Sequence, residues 1–357
     1  MTAFLEIDCR SVIGNWQALA KLNPEGETAA VVKADSYGLG AAQIAPALAA
    51  AGCQSFFTAH LAEAVALRPL LPGARIMALN GLAPHAALDF VAHEIIPVLS
   101  SLADIAAWRA AARALGRALP AFLHLETGLH RLALDEKELA SLAEDPTLLE
   151  GVRVDTVMSH FANAEQPEDP YNQLQFDRFL AYAGRFKGAK RSMANSAGCF
   201  LGPAFQQDLN RPGAALYGVN TSPLQAHKMR PVVQLSAPIL QIHELKMGAP
   251  VGYGGLWRAK RPSRIATIGV GYGDGLLRSL TNQGFAYFKG QAVALVGRVS
   301  MDLATFDITD VPAMAGDLLH LLDHQHGVDE LGQEAGSIGY EILTSLGRRY
   351  QRRYIGA

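Results

Sequence analysis

The sequence predicts an α/β protein: an eight-stranded parallel (β/α)8 barrel followed by a mostly β C-terminal domain. Three observations carry this reading. Across the first two-thirds of the chain, short apolar runs alternate with Ala/Leu-rich amphipathic stretches, the texture of consecutive βα units. Near Arg230 the texture changes to β-rich runs separated by Gly and Pro. At 357 residues the chain is longer than one hydrophobic core usually serves. The division is placed at residues 1–229 for the barrel and 230–357 for the second domain.

Strands are expected over residues 28–35, 55–60, 75–81, 95–100, 120–127, 153–162, 192–198 and 209–218. Helices lie between most of them, at 41–51, 102–115 and 172–186 among others. Gly52 and Gly116 directly follow the first two of these helices and supply the left-handed stop a helix end favours. Eight βα units in succession point to a closed barrel rather than an open sheet. The last crossover, 199–208, is too short for a full helix. In the second domain the β runs are 232–235, 239–242, 264–270, 293–296 and 317–322, with helical spacing returning only at 340–346.

Composition narrows the function. Half of the residues are hydrophobic, 18% are charged and the net charge is −2, so nothing electrostatic favours nucleic acid or an anionic membrane. The first ten residues have no basic stretch followed by a long apolar one, so no signal peptide is read there. No run of about 18 apolar residues is long enough to span a bilayer. Cys9, Cys53 and Cys199 are far apart and offer neither a metal spacing nor a disulfide framework, as expected in a reducing cytoplasm. No metal is expected.

In a barrel the chemistry collects at the carboxyl ends of the strands. Lys33 is placed at the end of the first strand, Arg131 after the fifth and His160 at the end of the sixth. Asn195 and Ser196 are placed at the end of the seventh, and Arg211, Gly213 and Tyr217 on the eighth. A buried strand-end lysine with a neutral or covalently occupied amine suits Schiff-base chemistry with a carbonyl cofactor. Alone, each residue has a plainer use. Lys33 can snorkel to solvent, His160 can be a core histidine, Arg211 a surface ion-pair residue, and Ser196 and Gly213 ordinary loop residues. Their convergence on one face raises them together. Segments 195–198 (Asn-Ser-Ala-Gly) and 211–215 (Arg-Pro-Gly-Ala-Ala) add backbone N–H groups beside small side chains, which allow close approach to a phosphate.

Through nearly its whole length the chain resembles the alanine racemases, bacterial pyridoxal-phosphate enzymes. The motifs that carry the resemblance are Ala-Val-Val-Lys-Ala-Asp-Ser-Tyr-Gly (30–38), Glu-Thr-Gly-Leu-His-Arg-Leu (126–132), Ser-His-Phe-Ala (159–162) and Ala-Asn-Ser-Ala-Gly (194–198). They continue with Arg-Pro-Gly-Ala-Ala-Leu-Tyr-Gly (211–218), Val-Gly-Tyr-Gly (251–254), Gly-Tyr-Gly-Asp-Gly (271–275) and Gly-Arg-Val-Ser-Met-Asp (297–302).

The resemblance implies that Lys33 holds pyridoxal 5'-phosphate covalently and that Tyr37, Ser196, Gly213 and Ala214 hold its phosphate. It implies that Arg211 faces the pyridine nitrogen and that Tyr253 is a second catalytic base supplied by the partner subunit of a head-to-tail homodimer. His160 hydrogen-bonds within the Tyr253 network and, with Asn195, belongs to the cofactor-binding set. Arg131 and the backbone at Met301 hold the substrate carboxylate, with Met301 again from the partner, and Tyr272 lies at the site entrance. The implied activity is two-base racemisation of L- and D-alanine, supplying D-alanine for peptidoglycan.

The pattern departs from the family at three points. His124 stands where many members carry a carbamylated lysine, Glu126 replaces the usual Asp, and Arg348 aligns with a phosphate-contacting Tyr. Two other readings stay in view. One is a serine or broad-specificity racemase, which His124 beside Arg131 keeps open. The other is a non-catalytic pyridoxal-phosphate-binding protein, which leaves the second domain and its Val-Gly-Tyr-Gly motif unexplained.

Overall fold

The computed structural model describes residues 2–83, 85–225 and 229–356. Its first half is built on a seven-stranded parallel sheet: Ala30–Val31, Ser55–Thr58, Arg75–Ala78, Ile95–Leu99, Leu119–His124, Val152–Met158 and Lys190–Ser192. Each strand pairs with the next in chain order. Ser55–Thr58 and Ile95–Leu99 are buried at every position, as parallel strands covered on both faces must be. Phe57 and Phe122 meet edge-on inside the sheet, 5.8 Å between centroids. Burying each such ring contributes roughly 1.5–3 kcal/mol.

The helix expected at 102–115 forms as Leu102–Leu115. Ser101 caps its start by accepting the Asp104 N–H at 3.1 Å, and Gly116 ends it at φ 62°. The helix at Pro170–Ala183 starts two residues earlier than expected, because Asp169 caps it and Pro170 occupies its first turn.

Most of the expected strands end earlier than predicted, and two are broken up for local reasons. The stretch 28–35 is two short pieces, Glu27–Thr28 and Ala30–Val31. Lys33 therefore follows the strand rather than ending it, and opens the turn Lys33–Tyr37, in which Ala34, Asp35, Ser36 and Tyr37 all have φ between 52° and 55°. The stretch 209–218 is a strand only at Leu209–Asn210, paired in parallel with Glu27–Thr28 apart from the seven-stranded sheet. Pro212 has no N–H for a ladder, and the chain then enters a 3-10 turn, Ala214–Tyr217. Arg211, Gly213 and Tyr217 thus lie beyond that strand, as His160, Asn195 and Ser196 lie beyond Met158 and Ser192. The backbone remains tied on both sides. The Arg211 N–H donates to the Ala194 carbonyl at 2.9 Å, and the Val31 N–H to the Pro212 carbonyl at 3.0 Å.

The second half is mostly β, as expected. An eight-stranded sheet runs Gln291–Ala294, Phe285–Phe288, Leu318–Leu322, Val233–Leu245, Phe4–Asp8 and Gln351–Ile355, with Ser263–Ile268 and Ala304–Asp307 extending from Val233–Leu245. The runs at 232–235 and 239–242 are one thirteen-residue strand. Its register shifts at Leu235/Ser236 and Ile239/Gln241 accommodate Pro238. Phe4–Asp8, unread in the sequence as a strand, pairs antiparallel with Val233–Leu245 and parallel with Gln351–Ile355. One continuous apolar core joins both halves, from Leu5 and Ile7 through Phe56 and Phe122 to Phe306 and Leu319.

Within the second half His326 is buried and makes two short contacts. Its Nδ1 lies 2.9 Å from the Leu321 carbonyl and its Nε2 2.9 Å from Glu334 Oε1. Both neighbours only accept, so both ring nitrogens carry protons. Among the described residues no helix is long and apolar enough to cross a membrane.

Candidate active site

Four consecutive left-handed residues without a glycine cost roughly 1–2 kcal/mol each. The turn after Lys33 is held by compensating bonds. Within it, the Ser36 N–H donates to the Val32 carbonyl at 2.9 Å and the Gly38 N–H to the Ala34 carbonyl at 2.7 Å. Two carboxylates brace it, Glu63 from outside and Asp35 from within. Glu63 Oε1 accepts the Ala34 N–H at 2.7 Å while its Oε2 accepts the Ala59 and His60 N–H groups at 2.7 and 3.2 Å. Asp35 Oδ1 accepts the Ala41 N–H at 2.7 Å. The turn fixes Lys33 and Tyr37 together at the carboxyl end of the parallel sheet.

Both face a cavity of about 450 Å³, which is also lined by His124, Arg131, His160, Arg211 and Gly213. Its lining holds three cationic side chains, Lys33, Arg131 and Arg211, and no carboxylate. Burial, reinforced by the Arg131 charge and opposed by Glu63, lowers the Lys33 amine below its ordinary value. A lowered lysine is a better nucleophile and base at neutral pH.

Arg211 is buried and its guanidinium is anchored at two points, donating to the Ser159 carbonyl at 2.6 Å and to the Ser192 hydroxyl. Burial brings it down to about 10, so it stays charged at neutral pH. Asn195 fixes the state of His160. The Gly198 N–H donates to Asn195 Oδ1 at 2.8 Å, which leaves the Asn195 amide NH2 facing His160 Nε2 at 3.3 Å. His160 Nε2 is therefore an acceptor and the proton sits on Nδ1. Burial, with Arg211 and Arg131, holds His160 well below its usual value. His124 is held down to about 3 by burial, then by Arg211 and Arg131, so it too is neutral.

Ser196 ties down the backbone at Gly213, which lines the cavity. The Ser196 hydroxyl accepts the N–H groups of Gly213 at 2.9 Å and Ala215 at 3.2 Å, and Ala214 is buried between them. A Cβ at Gly213 would strike the Tyr37 hydroxyl, so only glycine lets the backbone lie against that phenol. The ensemble suits a phosphorylated carbonyl compound. It offers an amine for the carbonyl, a wall of Gly213 and Tyr37 for the phosphate and cations for the charge.

Asn195, Ser196 and Ala214 stand behind the lining, beside His160 and Gly213, whereas three other residues expected at the site lie away from this cavity in the same chain. Tyr253 is 70% exposed, Met301 55% and Tyr272 44%. They do share one rim of the second half. The Tyr272 N–H donates to the Ser300 carbonyl and the Gly273 N–H to the Met301 carbonyl, at 3.0 and 2.8 Å. Gly252, beside Tyr253, packs against the backbone of Arg298.

The cavity also has a wall the sequence did not reveal. Tyr340 lines it, with its ring 6.5 Å from Tyr37 and its hydroxyl donating to Glu165 at 2.9 Å. Exposed Arg348, aligned with the missing tyrosine of the family, does not line it. The available signal was the helical spacing that returns at 340–346, which brings a phenol back toward the first half. Glu63 was likewise missed.

Comparison with known proteins agrees over the full length. The family model described as alanine racemase, N-terminal domain, matches residues 7–221, and that for the alanine racemase C-terminal domain matches 232–354. An alanine racemase of Acidiphilium cryptum is 56% identical over 98% of this chain and 97% of its own length, and one of Rhodospirillum rubrum 44% identical over 99% and 96%. The crystal structure of alanine racemase from Bartonella henselae with covalently bound pyridoxal phosphate superposes with a TM-score of 0.96 at 39% identity, covering 99% of this chain and 100% of the other.

Proposed function

The chain belongs to the alanine racemase family, and on that premise we propose that it interconverts L- and D-alanine with pyridoxal 5'-phosphate held at Lys33. The observation that carries this is the meeting of Lys33, Tyr37, Arg131, Arg211 and Gly213 on one cavity whose lining has three cations and no carboxylate. Pyridoxal phosphate, when bound, withdraws electrons from the substrate and acidifies its Cα–H.

The protein supplies the rest. Lys33 provides the covalent attachment. Tyr37, Ser196, Gly213 and Ala214 take the phosphate, and Tyr340 closes that end. His160 and Asn195 wall the ring. Arg211 would face the pyridine nitrogen as a donor that does not give up its proton. Such a partner would limit electron withdrawal and favour prompt return of the proton over transamination. Arg131 takes the substrate carboxylate, aided by the Met301 backbone of the partner subunit. Tyr272 of the partner subunit stands at the entrance.

Racemisation removes the Cα proton from one face and returns one to the other. Lys33 serves one face and Tyr253 of the partner subunit the other. Bringing a tyrosine from about 10 to about 7 takes roughly 4 kcal/mol of differential stabilisation. The Nδ1–H of His160 and the surrounding cations are the available sources. The exposure of Tyr253, Tyr272 and Met301 along one rim supports a head-to-tail homodimer that shares its sites.

Closure of the parallel sheet into a full eight-stranded barrel is the reading supported by the bonds from Arg211 to Ala194 and from Val31 to Pro212. On the same reading residues 1–229 form the barrel and 230–357 the second domain, to which Phe4–Asp8 is lent. The product, D-alanine, serves peptidoglycan synthesis in the cytoplasm.

The test has two arms. Loss of optical activity is followed with L-alanine, L-serine and other L-amino acids, with alanine expected to be the preferred substrate. Borohydride trapping followed by peptide mapping is expected to place the cofactor on Lys33. Labelling of a different lysine, or no turnover of alanine, overturns the proposal.

A further inference from the structure

Arg131 sits on a loop that is tightly held, although its own guanidinium is not. Among the described residues it has no hydrogen-bond or ion-pair partner, and the two imidazoles of the cavity wall, His124 and His160, are both neutral. The position of Arg131 therefore comes from the loop alone.

The base of that loop is pinned by backbone. The Leu125 N–H donates to the Met158 carbonyl at 2.8 Å and the Glu126 N–H to the Leu134 carbonyl at 3.0 Å. Ser159 Oγ donates to the Leu125 carbonyl at 2.8 Å and so receives the Thr127 hydroxyl at 2.7 Å. Inside the loop both Glu126 oxygens are engaged, one by the Gly128 N–H and the other by the His130 N–H at 2.9 Å. Glu126 thus shapes the turn instead of neutralising Arg131.

The outer side is gripped from the helix Pro170–Ala183. The Tyr171 hydroxyl donates to the Gly128 carbonyl at 2.8 Å, and Arg178 approaches the Thr127 carbonyl at 3.5 Å. Gly128 has φ +133°, and a Cβ there would fall on the Tyr171 oxygen, so only glycine at this position leaves room for the phenol. Tyr171 is itself fixed, because Asp169 accepts its N–H at 2.9 Å and the Asn163 amide at 2.7 Å.

We propose that Tyr171 is a positioning residue for Arg131: its phenol clamps the 126–131 loop through Gly128 and holds the guanidinium where the substrate carboxylate binds. In this chain a neutral hydrogen bond two links away does the work that a charge beside the arginine would do directly. The proposal rests on the reading of Arg131 as the carboxylate-binding residue.

Tyr171→Phe removes one hydroxyl and keeps the ring. In the holoenzyme the KM for L-alanine is expected to rise about three- to tenfold, the range for one neutral hydrogen bond. The kcat should stay within about twofold, and cofactor content should be unchanged. The double variant Arg131→Ala/Tyr171→Phe should have the KM of Arg131→Ala alone. Amide hydrogen exchange should quicken across residues 126–131 and not across 152–158. Wild-type KM and exchange in Tyr171→Phe, with a raised KM in Arg131→Ala, overturn the proposal alone. A fall in kcat together with a general loss of exchange protection shows a fold-wide role and also overturns it. An unchanged KM in Arg131→Ala overturns the reading of Arg131 and the proposal with it.

Discussion

Glu63 holds the backbone of Ala34: its Oε1 accepts the Ala34 N–H at 2.7 Å, immediately after Lys33, while its other oxygen ties down Ala59 and His60. One carboxylate thus restrains a turn whose dihedrals are unfavourable without glycine. Glu63→Gln leaves one acceptor oxygen and turns an NH2 toward N–H groups. Hydrogen bonds to a charged group are worth about 1.5–3 kcal/mol, so the variant is expected to bind pyridoxal phosphate roughly ten- to a hundredfold more weakly. Absorbance titration of the cofactor-free protein measures this.

Lys33 lines the cavity and Tyr253 does not. If each site takes its second base from the partner subunit, Lys33→Ala and Tyr253→Ala homodimers are inactive and their mixture is not. After verified subunit exchange, a heterodimer regains one intact site and about half of wild-type activity, since independent sites add. Absence of recovery counts against the shared site.

His124 carries no charge near neutral pH, because burial and two arginines hold it down to about 3. It has no amine to carbamylate. Wild-type activity is therefore expected to be the same in carbon-dioxide-free buffer with and without bicarbonate, at matched pH and ionic strength. His124→Lys should be tolerated and should acquire bicarbonate stimulation. Stimulation of the wild type would place a carbamate on another lysine.

His326 gives a pH-dependent stability of the second half. Burial pulls its pKa down, but the hydrogen bond and charge of Glu334, the Leu321 carbonyl and the charge of Glu330 outweigh burial, and the net shift is upward. Tyr287 stacks on the ring at 5.1 Å, and Asp323 bonds the His326 N–H. A raised histidine contributes stability in full below its unfolded value near 6.5, and loses it as pH rises through the folded value. Thermal unfolding should therefore fall in temperature from about pH 7 upward in the wild type. His326→Gln should be less stable at pH 6 by several degrees and should lack that alkaline decline.

Much of the site was legible because its residues sit in short motifs at the ends of βα units. Lys33, Arg131, His160 and Arg211 could be named before any pairing was known. The left-handed turn could not, since Ala-Asp-Ser-Tyr contains no glycine to announce positive φ, and the bonds from Glu63 that support it come from another unit. Tyr340 was hidden for a similar reason. Its place at the cavity depends on how the second half packs against the first, which local spacing does not encode. Phe4–Asp8 is too short to announce its sheet, and its partners lie at Val233–Leu245 and Gln351–Ile355.

That first strand also constrains how the protein is made. Phe4 pairs with Gln351 and with Ser236, so a segment that leaves the ribosome early waits for residues translated far later. The parallel sheet, whose strands pair in chain order, can assemble vectorially in the meantime. The mixed sheet cannot: the 4–8 segment has no strand partner until Val233–Leu245 is made, and it keeps one open edge until synthesis has passed residue 355. Pairings of such long sequence separation form slowly and leave strands open to wrong partners. The late step in biogenesis is thus the docking of Gln351–Ile355 on the open edge of Phe4–Asp8.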